Sequence, residues 1–338
     1  MHRRRPAATA VLSFSLAVGA ALSGPGVAAA EQVAFTIDDE RITESSGLVL
    51  NAERTGYWTV NDSGDSGVVY ALDRRGRVTG ELRYRAQPRD VEAVAVAGNR
   101  LYVADIGDNQ RNRDYVTVYF FDDPRATNET ITYRAYDFAY PDGPHDAETL
   151  LVDNAGRLYL VTKGGRGAIY AAPGVPSRQA VNRLVKVGDA PAYVTDGVFL
   201  PEDDRIALRT YVSVLMLDAI SYRMVARAAA PPQPQGESIA LTRDRRGLLL
   251  GTEGRPSTTY QIAIPTELAK VPKAASTPPS TAPSPTPTSA SPGSGQQEPA
   301  DEPSATQAGR RGTLLALGLA AVVALVAGAV VVVVRRPS

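Results

Sequence analysis

Five stretches of the chain follow one pattern: "ESSGLVLNAERTGYWTVND", "DVEAVAVAGNRLYVADIGD", "DAETLLVDNAGRLYLVTKG", "VTDGVFLPEDDRIALRTY" and "GESIALTRDRRGLLLGTEG". Each begins with a polar or acidic residue beside a small one, runs into apolar residues, turns through Asn, Asp or Gly, and enters a second apolar run. This is the signature of a strand, a hairpin turn and a second strand, repeated five times. A third strand follows each pair, as at Val68 to Leu72, Val116 to Phe120, Ala168 to Tyr170, Val212 to Leu217 and Thr259 to Ile262, and most units add a fourth, as at Ile131 to Phe138. No segment before residue 313 sustains a helical period.

Repeated antiparallel units of about 40 to 55 residues predict a β-propeller, in which radial repetition protects the sheet edges. The fifth unit runs out after three strands near Ile264, while a strand-like "VAFTI" stands unassigned at 33 to 37. Pairing the two closes the ring. We therefore expect an all-β propeller of five blades, with six as the alternative, whose N-terminal strand completes the last blade.

The ends of the chain are of a different kind. Residues 1–30 carry Arg3, Arg4 and Arg5, an apolar "AVLSFSLAVGAAL" and a small-residue "VAAA", which together read as a secretory signal peptide. Residues 313–334 hold no charge and are long enough to cross a bilayer core of about 30 Å as a helix. Between them the propeller is expected over 31–268, followed over 269–312 by a Pro/Ser/Thr-rich segment without the large apolar residues a core requires. Such a segment is a disordered stalk that reaches on the order of 100 Å in extended form. Residues 335–338 would be a cytoplasmic tail, so the expected location is the cell membrane, single-pass, with the N-terminal domain extracellular.

The chain has 36 basic and 36 acidic residues and no cysteine. Disulfides, thiolate metal sites and a cysteine nucleophile are thereby excluded. Without Arg3, Arg4 and Arg5, and without Arg310, Arg311, Arg335 and Arg336 around the apolar segment, 29 basic residues face 36 acidic ones. A mildly acidic ectodomain does not suit nucleic acid. The partners expected are the membrane and an extracellular protein, glycan or small-molecule ligand.

The motifs "ESSGL", "NDSGD", "YVADIGDN", "YPDGPHDAETL" and "LVTKG", spread over residues 44–164, resemble those of secreted or membrane-anchored bacterial β-propeller proteins. These are loosely similar to lactonase-like and NHL-type propellers and to proteins labelled "esterase-like activity of phytase". The resemblance implies the propeller fold. It implies no order of ligands that maps onto this chain residue by residue.

In a propeller the first strand of each blade lines the central channel, and its first residues face one mouth of the ring. At that place we align Ser46, Glu92, Glu148, Asp196 and Glu237, with Glu44, Asp90 and Asp146 two residues earlier in three of the units. The ends of the second strands add Asp62, Asp105, Lys163, Arg209 and Glu253, and the loops "NDSGDSG" and "IGDNQRNRD" add Asp65 and Asp108. Glu92, Glu148, Asp196 and Glu237 are the metal-ligand candidates, because crowded hard oxygen donors suit Ca²⁺ or Mg²⁺. Asp62, Asp65, Asp105, Asp108, Lys163, Arg209 and Glu253 are the candidate binding rim. The competing reading of the recurring acid is a structural staple that accepts backbone N–H groups of the neighbouring blade. His145, the one histidine after residue 30, is a weak catalytic candidate. Two functions follow: a surface-displayed binding or interaction module with an acidic central rim or, alternatively, a Ca/Mg-dependent hydrolase of a phosphoester, ester or lactone.

Overall fold

The computed structural model describes residues 32–62, 66–200, 202 and 204–266. The expected signal peptide, stalk, transmembrane helix and tail lie outside these residues, as does Asp65. Among the described residues no helix is long and apolar enough to cross a membrane.

Five antiparallel sheets follow one another along the chain. Their innermost strands are Ser45–Leu50, Val91–Ala97, Ala147–Val152, Val194–Leu200 and Gly236–Leu241. Each of these touches the next, and the fifth touches the first, so the ring is closed. The molecule is a five-bladed β-propeller, as the repeat count predicts.

Closure uses the N-terminal strand. Gln32–Ile37 runs antiparallel to Ser257–Ala263 as the outer strand of blade five, with Gln32 opposite Gln261 and Ile37 opposite Ser257. Phe35 and Ile37 point inward and are buried, and the Phe35 ring packs 5.6 Å from that of Tyr57 in blade one. The strand therefore fastens the first blade to the last.

The core is divided among the seams. Five apolar clusters form, each shared by two adjacent blades. In Arg100–Asp105, Leu101 and Val103 face blade one while Tyr102 and Ala104 face blade three. Because both faces of a blade are covered near the axis, its inner strands are buried along their length without polar alternation, whereas outer strands such as Met224–Ala229 are largely exposed. Trp58 fills the seam between blades one and two.

One predicted strand divides. The stretch Ile131 to Phe138 splits into Thr130–Ile131, which pairs in parallel with the outer strand Val78–Tyr84 of blade one, and Arg134–Ala139, the outer strand of blade two. Asn182–Arg183 covers the edge of blade two in the same way. These short additions occupy edge N–H and C=O groups that would otherwise invite another chain.

Candidate functional site

Every innermost strand begins with an irregularity in register. The shifts fall between Val91 and Ala93, Ala147 and Thr149, Val194 and Asp196, Gly236 and Ser238, and across Ser45 to Leu48. A bulge holds one residue out of the ladder and re-aims its side chain. The residues so placed are Glu92, Glu148, Thr195 and Glu237, with Ser46 at the same place in blade one.

This corrects the alignment by one residue. Thr195, not Asp196, is the fourth blade's member of the ring. Ser46 Oγ donates to the Glu92 carbonyl at 2.7 Å and Thr195 Oγ1 to the Gly236 carbonyl at 2.9 Å, so the two hydroxyls each tie their blade to the next. Asp196 turns the other way. Its Oδ2 accepts from the Ile239 N–H of blade five at 2.8 Å and its Oδ1 from the Gly197 N–H at 2.7 Å. It is the staple of the competing reading, and it lines no part of the mouth.

Glu92, Glu148 and Glu237 remain, facing a cavity of about 60 Å³ lined also by Ser46, Asp62, Asn109, Lys163, Gln235 and Glu253. Each of the three glutamates is over nine-tenths buried. Two carboxylate trios form here, Asp62 with Asp90 and Glu92, and Glu92 with Asp146 and Glu148, each with one oxygen per residue within 4.8 Å of the others. Oxygens grouped this closely suit the coordination sphere of a hard divalent cation such as Ca²⁺ or Mg²⁺.

Partners are few. Lys163 Nζ donates to Glu148 Oε1 at 2.7 Å and stands 5.6 Å from the centre of the Tyr211 ring. Asp146 Oδ1 accepts from the Asp108 N–H at 2.9 Å. The Glu92 carboxylate accepts no hydrogen bond from any described residue, and Asp62 Oδ1 is buried without a partner. Burial pushes the Asp62, Glu148 and Glu237 carboxyls up to about 7, with Asp90 raising Asp62 further and Lys163 restraining Glu148 and Glu237. Burial, then the charges of Glu148, Asp62 and Asp90, raises Glu92 well above its ordinary value. Such a set either holds protons or meets a cation.

Backbone pairing also locates the second tier. The amides of Asp62, Gly107, Lys163 and Glu253 donate to the carbonyls of Glu44, Asp90, Asp146 and Gln235, one in each of four blades. In blade two this position is a glycine. A Cβ on Gly107 would lie 2.5 Å from both the Asp90 Oδ2 and Glu92 Oε1 atoms, so the missing side chain makes room for the two carboxylates.

Of the expected rim, Asp62, Lys163 and Glu253 line the cavity, while Asp105, Asp108 and Arg209 do not. Asp105 is buried against Arg113 at 2.8 Å and accepts the Asp90 N–H at 3.0 Å. Asp108 accepts the N–H groups of Asn112 and Arg113, both at 3.0 Å, and so closes the loop that presents Asn109. Arg209 is fully buried and donates through Nη1 to the Ser238 and Gly251 carbonyls at 2.6 Å each, joining blade four to blade five. His145 does not line the cavity: its Nε2 lies 3.0 Å from both Asp142 Oδ1 and the Tyr170 hydroxyl, and its ring is T-shaped on Tyr140. Arg113 and Gly107 went unnoticed in the sequence. The "IGDNQRNRD" loop was the signal, since an arginine eight residues after a buried Asp can turn back to neutralise it.

No family model matches the chain. No curated protein matches it either. Among solved structures, the glutaminyl cyclase of Myxococcus xanthus is 13% identical, covers 69% of this chain and 97% of its own, and gives a TM-score of 0.45.

Proposed function

We propose that the propeller is a binding module displayed on the cell surface, whose acidic mouth holds a divalent cation, calcium or magnesium, and offers it to an oxygen-bearing ligand at the open side of the ring. The observation that carries this reading is Glu92: a carboxylate 4% exposed, facing a polar cavity, with no donor among the described residues and four more carboxylates around it. A buried carboxylate without a donor either keeps its proton or meets a cation, and a hard cation is the partner these oxygens suit. The experiment is calorimetric titration of Ca²⁺ and Mg²⁺ into the full-length protein after chelator treatment. Saturable Ca²⁺ binding that Glu92→Gln removes is expected; the absence of heat and of any shift in melting temperature with either ion would overturn the reading.

Display at the surface is the second half of the proposal. Residues 1–30, 269–312 and 313–334 supply the exporting, spacing and anchoring segments by composition. Protease treatment of intact cells should release the propeller while leaving the anchor in the membrane fraction. Protection of the propeller from protease would contradict this orientation.

Glu237 favours a second reading. It lies on the cavity outside both trios, 7% exposed, with no hydrogen-bond donor among the described residues and its carboxyl near 7 through burial. A carboxylate so poised is suited to act as a general base toward a bound water, and the cation would lower that water's pKa. The result would be hydrolysis of a phosphoester, ester or lactone. Turnover of such model substrates that requires Ca²⁺ and is lost in Glu237→Gln, with ion binding intact, would select the hydrolase; ion binding without turnover selects the module.

A further inference from the structure

We infer that the mouth is built for two divalent cations bridged by Glu92. The inference rests on the cation reading above and adds to it the number of ions and the residues assigned to each. One position is framed by Asp62, Asp90 and Glu92, the other by Glu92, Asp146 and Glu148.

Three features support two positions over one. First, Glu92 belongs to both trios, is over nine-tenths buried, and has neither oxygen engaged by a described donor. A carboxylate with both oxygens available can give one to each of two ions, which in two-metal sites stand about 3.5–4 Å apart. Second, the flanking acids are each half engaged in a way that leaves oxygen free. Asp146 gives only Oδ1 to the Asp108 N–H, Glu148 gives only Oε1 to Lys163, and Asp62, whose carboxyl shares a hydrogen bond with that of Asp90, keeps Oδ1 buried without a partner. A purely structural cluster would have its buried oxygens satisfied. Third, once every carboxyl is ionised the charges do not balance with a single ion. Asp62, Asp90, Glu92, Asp146, Glu148, Glu237 and Glu253 face one ammonium, that of Lys163. One divalent ion leaves an excess of four negative charges and a second reduces it to two, which Glu237 and Glu253, outside both trios, account for.

Gly107 fits the same scheme. At the position where blades one, three and five carry Asp62, Lys163 and Glu253, blade two carries no side chain, and the space adjoins Asp90 and Glu92. A lysine there, as in blade three, would neutralise the first trio internally. The chain instead leaves it open.

The test counts ions. Full-length protein in detergent, stripped with chelator and equilibrated with Ca²⁺, should retain two calcium ions per chain by elemental analysis. Asp62→Asn and Asp146→Asn should each retain one, and Glu92→Gln none. One ion in the unmodified protein, lost in only one of the two asparagine variants, overturns the bridged pair while leaving the single-cation reading standing; no ion overturns both. Mn²⁺ supplies a measurement that needs no variant. The first equivalent should give the six-line spectrum of an isolated ion, and the second should broaden and collapse it through coupling between neighbouring ions. Six resolved lines that double in intensity at two equivalents would place the ions apart and refute the bridge.

Discussion

Lys163 Nζ sits 2.7 Å from Glu148 Oε1, the one ammonium among the described residues lining a mouth ringed by carboxylates. Breaking a buried pair leaves its partner uncompensated. Lys163→Met should therefore cost the chelated protein about 3 kcal/mol of stability. It should also tighten Ca²⁺ binding by roughly tenfold, since removing a cation next to the site lowers its repulsion by about 1.4 kcal/mol. Denaturant unfolding in chelator and a Ca²⁺ titration check both halves. An equal loss of stability with and without Ca²⁺, at unchanged affinity, would separate Lys163 from the ion site.

Gly107→Ala makes the converse test. Its methyl group would lie 2.5 Å from the Asp90 and Glu92 oxygens, so these carboxylates must move. Ca²⁺ affinity should fall by at least roughly tenfold, equivalent to about 1.4 kcal/mol, while the melting temperature in chelator changes little. Unchanged affinity would show that the space beside Gly107 plays no part in binding.

Asp196→Asn should behave differently from any change at Glu92. Asp196 accepts two backbone N–H groups through two oxygens, and an asparagine has one acceptor and one donor, so either the Ile239 or the Gly197 N–H meets another donor. The cost should be about 1–3 kcal/mol, the same with Ca²⁺ or chelator. Differential scanning calorimetry in both conditions gives the answer; a loss confined to the Ca²⁺-loaded protein would return Asp196 to the ion site.

Stability without metal should fall as pH rises. Asp62, Glu148 and Glu237 titrate near 7 in the folded protein, pushed up by burial, and near 4 when unfolded. Between pH about 4.5 and 7 the folded state binds protons the unfolded chain has released, so each step up in pH favours unfolding until the folded groups are ionised. Saturating Ca²⁺ should shrink this loss by stabilising the ionised form. Carboxyls held low, such as Asp39 beside Arg41, titrate below this window. Melting curves in chelator at pH 5, 6, 7 and 8 test the sign; a profile that rises toward pH 8 would contradict it.

Phe35→Ala should loosen the closure. The ring is buried in the seam between blades five and one, where it meets Tyr57. Removing it should cost about 3–5 kcal/mol. Deleting residues 31–39 should go further and expose the edge of Ser257–Ala263, with aggregation on heating. A truncated protein melting within a degree or two of the intact one would show that the strand does not hold the ring.

The sequence by itself determined the repeated blade, with five copies preferred over six, the strand that closes the ring, and the chemical type of the mouth. Repetition is visible in one dimension, and five copies of a strand pair lacking one outer strand leave "VAFTI" as the piece that fits. It also placed Glu92, Glu148 and Glu237, because "DVEA", "DAET" and "QGES" carry the acid at the same place before the apolar run. Register was decided only in three dimensions. A bulge at the start of each inner strand holds one residue out of the ladder, and a slip of one residue sends a side chain to the opposite face. "VTDG" offers Thr195 and Asp196 as equal matches until Val194 is seen paired with Thr210, which puts Thr195 at the bulge and Asp196 against Ile239. In the same way Asp105 and Arg209 read as strand-end charges, yet each lies inside the ladder and turns inward to a partner brought there by another segment: the loop carrying Arg113 for one, blade five for the other. The vacancy at Gly107 has no signature in a string of letters, because its meaning comes from Asp90 and Glu92, whose carboxylates the tertiary structure brings against it.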